Sequence, residues 1–188
     1  NLARSFAGES QAGMRYQLIA RAANQQGYVA LADAVKVLAK NETVHARRFM
    51  EELQKRGQYL DNINIDAGYP YHGGDIAESL KFAADDEHEE HSVIYPAFAK
   101  DAEDEGFKDI ASLFKLVAKV EVHHEMIFRY LHEAFSKGKL YSNESPILYI
   151  CGDCGYMHTS TKAWDKCPLC QASQGEVLLH IPFEKEKI

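Results

Sequence analysis

Two short stretches of the sequence carry the same pattern, Glu-x-x-His, once as Glu42 with His45 and once as Glu121 with His124. Residues three positions apart lie on the same face of an α-helix, so each pattern places a carboxylate beside an imidazole. The residues that continue this face at steps of four and three are mostly apolar, as at Phe128, four residues after His124. Both patterns therefore interrupt a face that is otherwise predicted to be buried.

The other two helical segments carry carboxylates on the same kind of inner face. Glu9 lies in the first segment, and Glu87 and Glu90 lie in the third. Glu9 and Glu42 are 33 residues apart, and Glu87 and Glu121 are 34 apart, so each pair meets at the same depth if its two helices are antiparallel. The chain thus reads as a twofold repeat, in which a helix with Glu precedes a helix with Glu-x-x-His.

Five carboxylates in a helical core predict bound cations, because an ionised carboxylate buried without a partner costs several kcal/mol. Two divalent cations nearly balance the charge, and two trivalent cations leave room for a bridging oxide or hydroxide. A carboxylate-rich site with one imidazole per metal suits iron or manganese better than structural zinc. A single Glu-x-x-His is common on solvated helix faces, but two copies at matching depth favour a metal pair, with iron as the first choice.

Other polar residues of the helical part have two interpretations. Tyr16 and Tyr95 are expected within about two turns of the carboxylates, either as core packing or with hydroxyls that bond to a ligand carboxylate or a bound peroxide. Pro96 cannot donate to the Ser92 carbonyl, which predicts a kink or bulge one turn after Glu90. The remaining histidines are interpreted as surface residues or residues that support the ligands: His72, His88, His91, His123, His132, His158 and His180.

All four cysteines lie near the end of the chain, as Cys151-x-x-Cys154 and Cys167-x-x-Cys170. Two such pairs are typical of a tetrahedral thiolate site, which iron and zinc both fit, so a structural zinc ribbon remains the alternative. So small a module depends on its metal to fold. Its predicted core consists of Tyr149, Tyr156, Trp164 and Phe183.

Four long helices are predicted before residue 140. Short connections make the first two and the last two helices antiparallel hairpins, and segment 58–75 is long enough to cross over between them, which gives an up-down-down-up bundle. Asp75 and Glu78 are spaced as in a capping box. Glycines suit the left-handed position after each helix: Gly27, Gly57, Gly106 and Gly138. The predicted helices run to about Gly27, from there to Gly57, from about Asp75 to Glu105, and from about Phe107 to Lys137.

The composition changes near residue 140, where short runs with Gly and Pro replace the helical pattern. The predicted organisation is a mainly α domain over 1–138, a linker over 139–147 and a small metal-binding β domain over 148–188. A length of 188 residues with 46% hydrophobic content can bury such cores. A net charge of -7 without a basic cluster argues against nucleic acid as a partner. No apolar run approaches the roughly 20 residues that span a bilayer, so we expect no membrane partner and a cytoplasmic protein.

The sequence resembles the rubrerythrin family over essentially its whole length. "FAGESQA", "NETVHARRF", "EHEEHSVIYPAFAKDAEDEGF" and "EVHHEMIFRYL" are similar to the family's ferritin-like four-helix core. "YICGDCGY" and "KCPLC" are similar to its C-terminal rubredoxin-like domain. Glu followed by Glu-x-x-His is also the general ligand pattern of ferritin-like diiron proteins.

The resemblance implies specific ligands and roles. Glu42 and Glu121 would bridge two irons, Glu9 and Glu90 would serve the first iron, and His45 would exchange with Glu90 there as the redox state changes. Glu90 and His45, with Tyr16 and Tyr95 beside the centre, are the candidate catalytic residues. The remaining ligands would be Glu87 and His124 for the second iron, and Cys151, Cys154, Cys167 and Cys170 for a single rubredoxin-type iron.

The activity implied by the resemblance is peroxidase chemistry, the reduction of hydrogen peroxide to water in oxidative-stress defence. Cleaving the O–O bond takes two electrons, which two ferrous ions can supply. The cysteine-bound iron would return electrons singly, ultimately from an NADH-linked reductase or a rubredoxin, in a homodimer where one chain's module faces the other's diiron centre. The alternatives are an iron-oxidising ferritin-like protein, which needs a cage, and a regulatory protein with zinc in the cysteine module.

Two features depart from the family pattern. The third helix carries extra acids and imidazoles beside the expected ligands, namely His88, Glu89 and His91, so a neighbouring residue could replace an expected ligand there. Gln171 follows the last cysteine, where rubredoxin-type turns usually have Gly. We therefore expect that turn to be strained or reshaped.

Overall fold

The computed structural model describes residues 1–57 and 61–181. It consists of five α-helices, a π-helix, two β-strands and a short 3-10 helix. In chain order these are α1 (Leu2–Gln25), α2 (Val29–Arg56), α3 (Ile76–Glu89), the π-helix (Glu90–Ile94), α4 (Tyr95–Asp104), α5 (Lys108–Ser136), β1 (Ser142–Ile150), β2 (Met157–Lys162) and the 3-10 helix (Gln174–Glu176). Among the helices of these described ranges, none is long and apolar enough to cross a membrane.

The helices form the predicted four-helix bundle with one long crossover. α1 packs against α2, and α3, the π-helix and α4 together pack against α5. The helix expected as one piece between Asp75 and Glu105 is therefore divided by the π-helix. The capping box is confirmed, since the Glu78 N–H donates to Asp75 Oδ1 at 2.9 Å and the Asp75 N–H donates to Glu78 Oε2 at 3.2 Å.

Three of the four glycines at helix ends have the predicted left-handed conformation. Gly27, Gly106 and Gly138 have φ values of 84°, 85° and 63°. The expectation for Gly57 was wrong, because its φ is −159° and its ψ is 158°, so the chain leaves α2 in an extended conformation.

Two layers of apolar side chains enclose the middle of the bundle. On one side of the inner carboxylates lies a cluster that includes Leu31, Leu80 and Phe128. On the other side lies a cluster that includes Phe49 and Phe114. The acidic groups therefore lie between two apolar layers that offer them no hydrogen-bond partner, so neighbouring polar side chains or bound cations must satisfy them.

The cysteine module is built on the antiparallel pair β1–β2, with Ile147 opposite Ser160. The buried residues of its apolar cluster are Tyr141, Tyr149, Ala163 and Val177. Of the predicted core, Tyr149 is buried, whereas Tyr156 and Trp164 are half-buried and pack edge to face with ring centroids 5.2 Å apart. Phe183 lies outside the described residues. β1 begins at Ser142, within the segment assigned to the linker, and the domain boundaries themselves stay a prediction.

The module packs against the end of the bundle where α1 turns into α2. Gly175 lies so close to Gly27 that a Cβ atom on it would be 1.7 Å from the Gly27 carbonyl oxygen. The Tyr130 hydroxyl on α5 also donates to the His180 carbonyl oxygen at 2.7 Å. A side chain at Gly175 would therefore push the module off the bundle, whereas a Cβ atom on Gly27 would meet no atom within 4 Å.

Candidate metal centres

Six predicted ligands from four helices converge in the middle of the bundle. α1, α2, α3 and α5 supply them from the inner faces predicted by the sequence, and none is more than 8% exposed. They are Glu9, Glu42, His45, Glu87, Glu121 and His124.

The six side chains form two groups that share two members. In the first group Glu9 and His45 meet Glu42 and Glu121, and in the second Glu87 and His124 meet the same two carboxylates. Within each group the ligand atoms lie within 4.8 Å of one another. Because Glu42 and Glu121 belong to both groups, the arrangement suits two adjacent cations bridged by two carboxylates.

The surroundings of each imidazole support metal ligation. His124 Nδ1 lies 2.8 Å from Glu42 Oε1, 2.7 Å from Glu121 Oε2 and 3.7 Å from Glu87 Oε1. His45 Nδ1 lies 3.0 to 3.4 Å from oxygens of Glu121, Glu42 and Glu9. One N–H cannot bond well to three carboxylates, whereas ligands about 2.0–2.2 Å from a shared cation converge in this way.

The buried carboxylate oxygens of the site also support metal binding. Within the described part of the chain, Glu9 Oε2, Glu42 Oε1, Glu87 Oε2 and both oxygens of Glu121 are buried without a hydrogen-bond partner. Buried polar atoms in native proteins are nearly always satisfied. These residues therefore fit a pair of metal ions.

The electrostatics show how strongly the site needs positive charge. Burial raises the pKa of Glu87 to about 8, and the charges of Glu42 and Glu121 add to the effect. Burial alone would lower the pKa of His45, but the carboxylates of Glu121, Glu42 and Glu9 that surround its ring nitrogen raise it to about 12. Protons therefore take the place of cations in the metal-free protein, and metal binding must displace them.

Both predicted tyrosines are buried beside the site and bond to ligand carboxylates. The Tyr16 hydroxyl donates to Glu87 Oε1 at 2.5 Å, and the Tyr95 hydroxyl donates to Glu9 Oε1. Burial, with the nearby carboxylates, raises the pKa of both tyrosines, so they remain donors. They orient the two carboxylates that the groups do not share.

Glu90 lies beside the six converging residues without joining them, and burial together with the charges of Glu9 and Glu87 raises its pKa. It is half-buried and, among the described residues, belongs to neither group. It begins the π-helix, whose wide turn is closed by the Tyr95 N–H donating to the Glu90 carbonyl. Pro96, which follows, has no N–H to continue the α-helical pattern. The predicted bulge is thus confirmed, and it starts at Glu90 instead of one turn later.

Sequence analysis missed two features around the site. The Asn41 side-chain amide lies 3.2 Å from His124 Nε2 and holds the far side of the ring. No spacing pattern pointed to it, since residue 41 lies beside the inner face and not on it. Glu125 was also missed, although it contacts His88 and His91, which were assigned to surface or supporting roles.

The four cysteines converge as predicted. Cys151 Sγ lies 3.7 Å from Cys170 Sγ, and Cys154 Sγ lies 3.6 Å from Cys167 Sγ. Disulfide sulfurs would be about 2.05 Å apart. Sulfurs about 2.3 Å from a tetrahedral metal are instead about 3.8 Å apart, so the spacing fits one metal ion.

Gln171 has the strained conformation that the sequence suggested. Its φ is 66°, and it is the one non-glycine residue with positive φ in the ranges that the structure covers. The corresponding residue after Cys154 is Gly155, with φ 76°. The two cysteine turns therefore share one backbone shape, which only the first achieves with glycine.

A bundle with two carboxylate-bridged metal positions and a separate tetrathiolate module defines a ferritin-like dimetal protein with a rubredoxin-like domain. The family model for rubrerythrin matches residues 1–132, and the model for the rubrerythrin rubredoxin-like domain matches residues 149–176. The chain belongs to the rubrerythrin family.

Individual relatives agree over most of the chain. The rubrerythrin of Porphyromonas gingivalis is 41% identical over 175 residues, which cover 93% of this chain and 85% of that protein. The rubrerythrin of Clostridium perfringens is 39% identical over 171 residues, which cover 90% and 87%. A structure of fully reduced, all-ferrous nigerythrin, at 24% identity, superposes with a TM-score of 0.63 over 96% of this chain and 85% of the other, which shows the shared fold.

Proposed function

We propose that this protein is a non-haem diiron peroxidase that reduces hydrogen peroxide to water in oxidative-stress defence. The observation that carries the proposal is the pair of metal positions that share Glu42 and Glu121. Two adjacent ferrous ions held there would supply the two electrons that O–O cleavage requires.

Iron is the proposed metal at all three positions. In the bundle the ligands are mainly carboxylates with one imidazole per position, a set that suits iron. The thiolate site accepts iron as readily as zinc. The nigerythrin with which the fold is shared has been solved in an all-ferrous state, which supports the choice.

The residues around the centre have proposed roles. Tyr16 and Tyr95 hold Glu87 and Glu9 in place through their hydroxyls. The family resemblance implies that His45 and Glu90 exchange on the first iron. An arrangement with His45 among the ligand atoms and Glu90 outside them corresponds to one side of that exchange.

Electrons are proposed to pass between chains. The module packs beside Gly27, and Glu9 precedes Gly27 by 18 residues of chain, which is roughly 27 Å along α1 at 1.5 Å per residue. Electron tunnelling falls steeply with distance, so a module from a second chain is the better donor. We therefore propose a cytoplasmic homodimer in which each tetrathiolate iron serves the partner's centre, with electrons from an NADH-linked reductase or a rubredoxin.

The activity is tested with iron-loaded protein reduced without oxygen and then mixed rapidly with hydrogen peroxide or with air-saturated buffer. We expect the absorption of the oxidised centre to return much faster with peroxide. Equal rates with peroxide and air, or zinc in all three positions of the protein as isolated, would overturn the proposal. Glu121→Ala protein, in which the dimetal site is removed, is the control for signals from the tetrathiolate iron.

A mixing experiment tests the route between chains. Glu121→Ala protein lacks the dimetal centre, and Cys170→Ser protein lacks the tetrathiolate site. Neither homodimer should turn over peroxide with the reductase. Heterodimers of the two variants should recover part of the activity, because one module faces one intact centre. No recovery in verified heterodimers would contradict electron transfer between chains.

The alternative ferritin-like iron oxidase shares the bundle but does not need the cysteine module. Light scattering separates the two functions, since the peroxidase is expected as a dimer and a storage protein as a cage. A zinc-bearing regulatory protein would be colourless and would contain no iron by elemental analysis.

A further inference from the structure

A cluster of possible metal ligands lies on the outside of the bundle, formed by His88, His91 and Glu125. We call it the outer cluster. His88 follows Glu87 and Glu125 follows His124, so the outer cluster lies on two of the four helical segments that form the dimetal site, and at the same height. It faces away from the core, and none of the dimetal groups includes its residues.

The three ligand atoms of the outer cluster converge. Glu125 Oε2 lies 3.1 Å from His88 Nδ1 and 2.6 Å from His91 Nε2. The centroids of the two imidazole rings are 5.1 Å apart and the rings are nearly perpendicular. One nitrogen of each ring contacts the same carboxylate oxygen. These spacings are close to those of ligands that share a cation at about 2.0–2.2 Å.

The outer cluster is anchored on one side and open on the other. The side chains of His91 and Glu125 are each 16% exposed, whereas His88 is 57% exposed. The Arg129 guanidinium donates to Glu125 Oε1 at 2.6 Å, which fixes the carboxylate and leaves Oε2 to the imidazoles. A cation could therefore enter past His88, and water could complete its coordination.

The charges beside the outer cluster limit its affinity for a cation. Arg129 also contacts Asp85 at 3.2 Å, and Asp85 pairs with Lys81 at 2.9 Å. The positive guanidinium beside Glu125 weakens cation binding, although Asp85 offsets part of that charge. Two imidazoles and one carboxylate nevertheless form a donor set that suits borderline divalent transition metals.

We propose that the outer cluster is a third metal site of this protein, which binds one divalent transition-metal cation of the zinc or ferrous class through two imidazoles and one carboxylate. This inference goes beyond the proposed peroxidase function, and it holds whichever metal fills the dimetal centre. A bound cation ties the π-helix to α5, so binding is expected to stabilise the folded bundle.

Zinc binding to the ferric holoprotein tests the third site. The protein is dialysed against a series of Zn²⁺ concentrations, and zinc and iron per chain are measured together. We expect one additional zinc with the resident iron retained, and a rise in melting temperature on binding. His91→Gln should weaken the binding by at least about tenfold, since even supporting residues of metal sites often contribute that much.

His158→Gln is the matched control, because His158 is exposed on β2 and, within the described ranges, belongs to no metal-ligand cluster. It should bind zinc as the unaltered protein does. No additional zinc in the unaltered protein, or equal binding by His91→Gln, would overturn the proposal. Circular dichroism shows whether each variant is folded.

Copper provides a second measurement that counts ligands. The electron paramagnetic resonance spectrum of one Cu²⁺ per chain should show coupling to two imidazole nitrogens. His88→Gln should reduce the count to one, and circular dichroism checks that this variant, changed at an exposed position, is folded. A spectrum unchanged in His88→Gln would show that copper binds elsewhere and would contradict the assignment.

Discussion

The dimetal site lies between two layers of apolar side chains, whereas the apolar cluster of the cysteine module has four buried members among the described residues. Four long helices surround the first site, and two short strands support the second. The bundle thus has a core without its metals, while the module's largest stabilising element is the metal itself.

The two regions also differ in how the metal-free ligands affect folding. In the metal-free bundle, buried negative charge destabilises the fold, and carboxylates such as Glu87 reduce it by binding protons, in keeping with the raised pKa of Glu87. In the module, the four thiols lie at metal-ligand spacing around one point, and the apolar cluster beside them is small in the part of the chain that the structure describes. Loss of metal should therefore leave the bundle folded, whereas it should unfold the module.

The largest effect is expected from Cys154→Ser. Structural metal sites can contribute on the order of 10 kcal/mol to folding, so the module should lose its metal and unfold while the bundle keeps its helices and both of its metal ions. Limited proteolysis after residue 140, circular dichroism and iron analysis measure this. Asp153→Asn, between the same two cysteines, is the control. A module that resists proteolysis without metal would break the comparison.

The next effect is expected from Glu121→Ala, which removes a carboxylate shared by both metal positions. In protein loaded with the proposed iron, two of the three metal ions should be lost and the red tetrathiolate absorption should remain. The bundle should stay helical, because its apolar layers do not depend on metal. Glu133→Ala, at an exposed position of the same helix, should retain all metal. Loss of iron from both sites would show that the two regions are not independent.

The smallest effect compares the two cysteine turns within the module. Gln171→Gly should stabilise the module by about 1 kcal/mol, because a left-handed conformation costs a residue with Cβ roughly that much. The gain is reduced by loss of the hydrogen bond from Gln171 Nε2 to the Cys167 carbonyl, 3.3 Å long. Gly155→Gln should destabilise it. The denaturant concentration at which half of the tetrathiolate metal is released measures the stability of both variants. Equal midpoints for Gln171→Gly and Gly155→Gln would contradict the proposal that the conformation of Gln171 is strained.

Much of both sites was predictable because their signals are local. Steps of four and three residues identify an inner face, and the structure buries Val117, Glu121, His124 and Phe128 on that face of α5. Equal spacing to Glu87 then predicts matching depth. The tetrathiolate site could be predicted from the short separation within each pair of cysteines alone. The interruption at Pro96 predicted a bulge, but not that the π-helix would start at Glu90.

By itself the sequence determined the helices, the hairpins, the inner carboxylates and the cysteine turns, because periodicity and short-range spacing encode them. Only the tertiary structure decided that Glu90 lies outside the ligand groups, that Asn41 contacts His124 and that Glu125 joins His88. It also decided that the module packs beside Gly27. The physical reason is that these contacts depend on how neighbouring helices rotate against one another and which rotamers they select, and neither leaves a periodic trace in the chain.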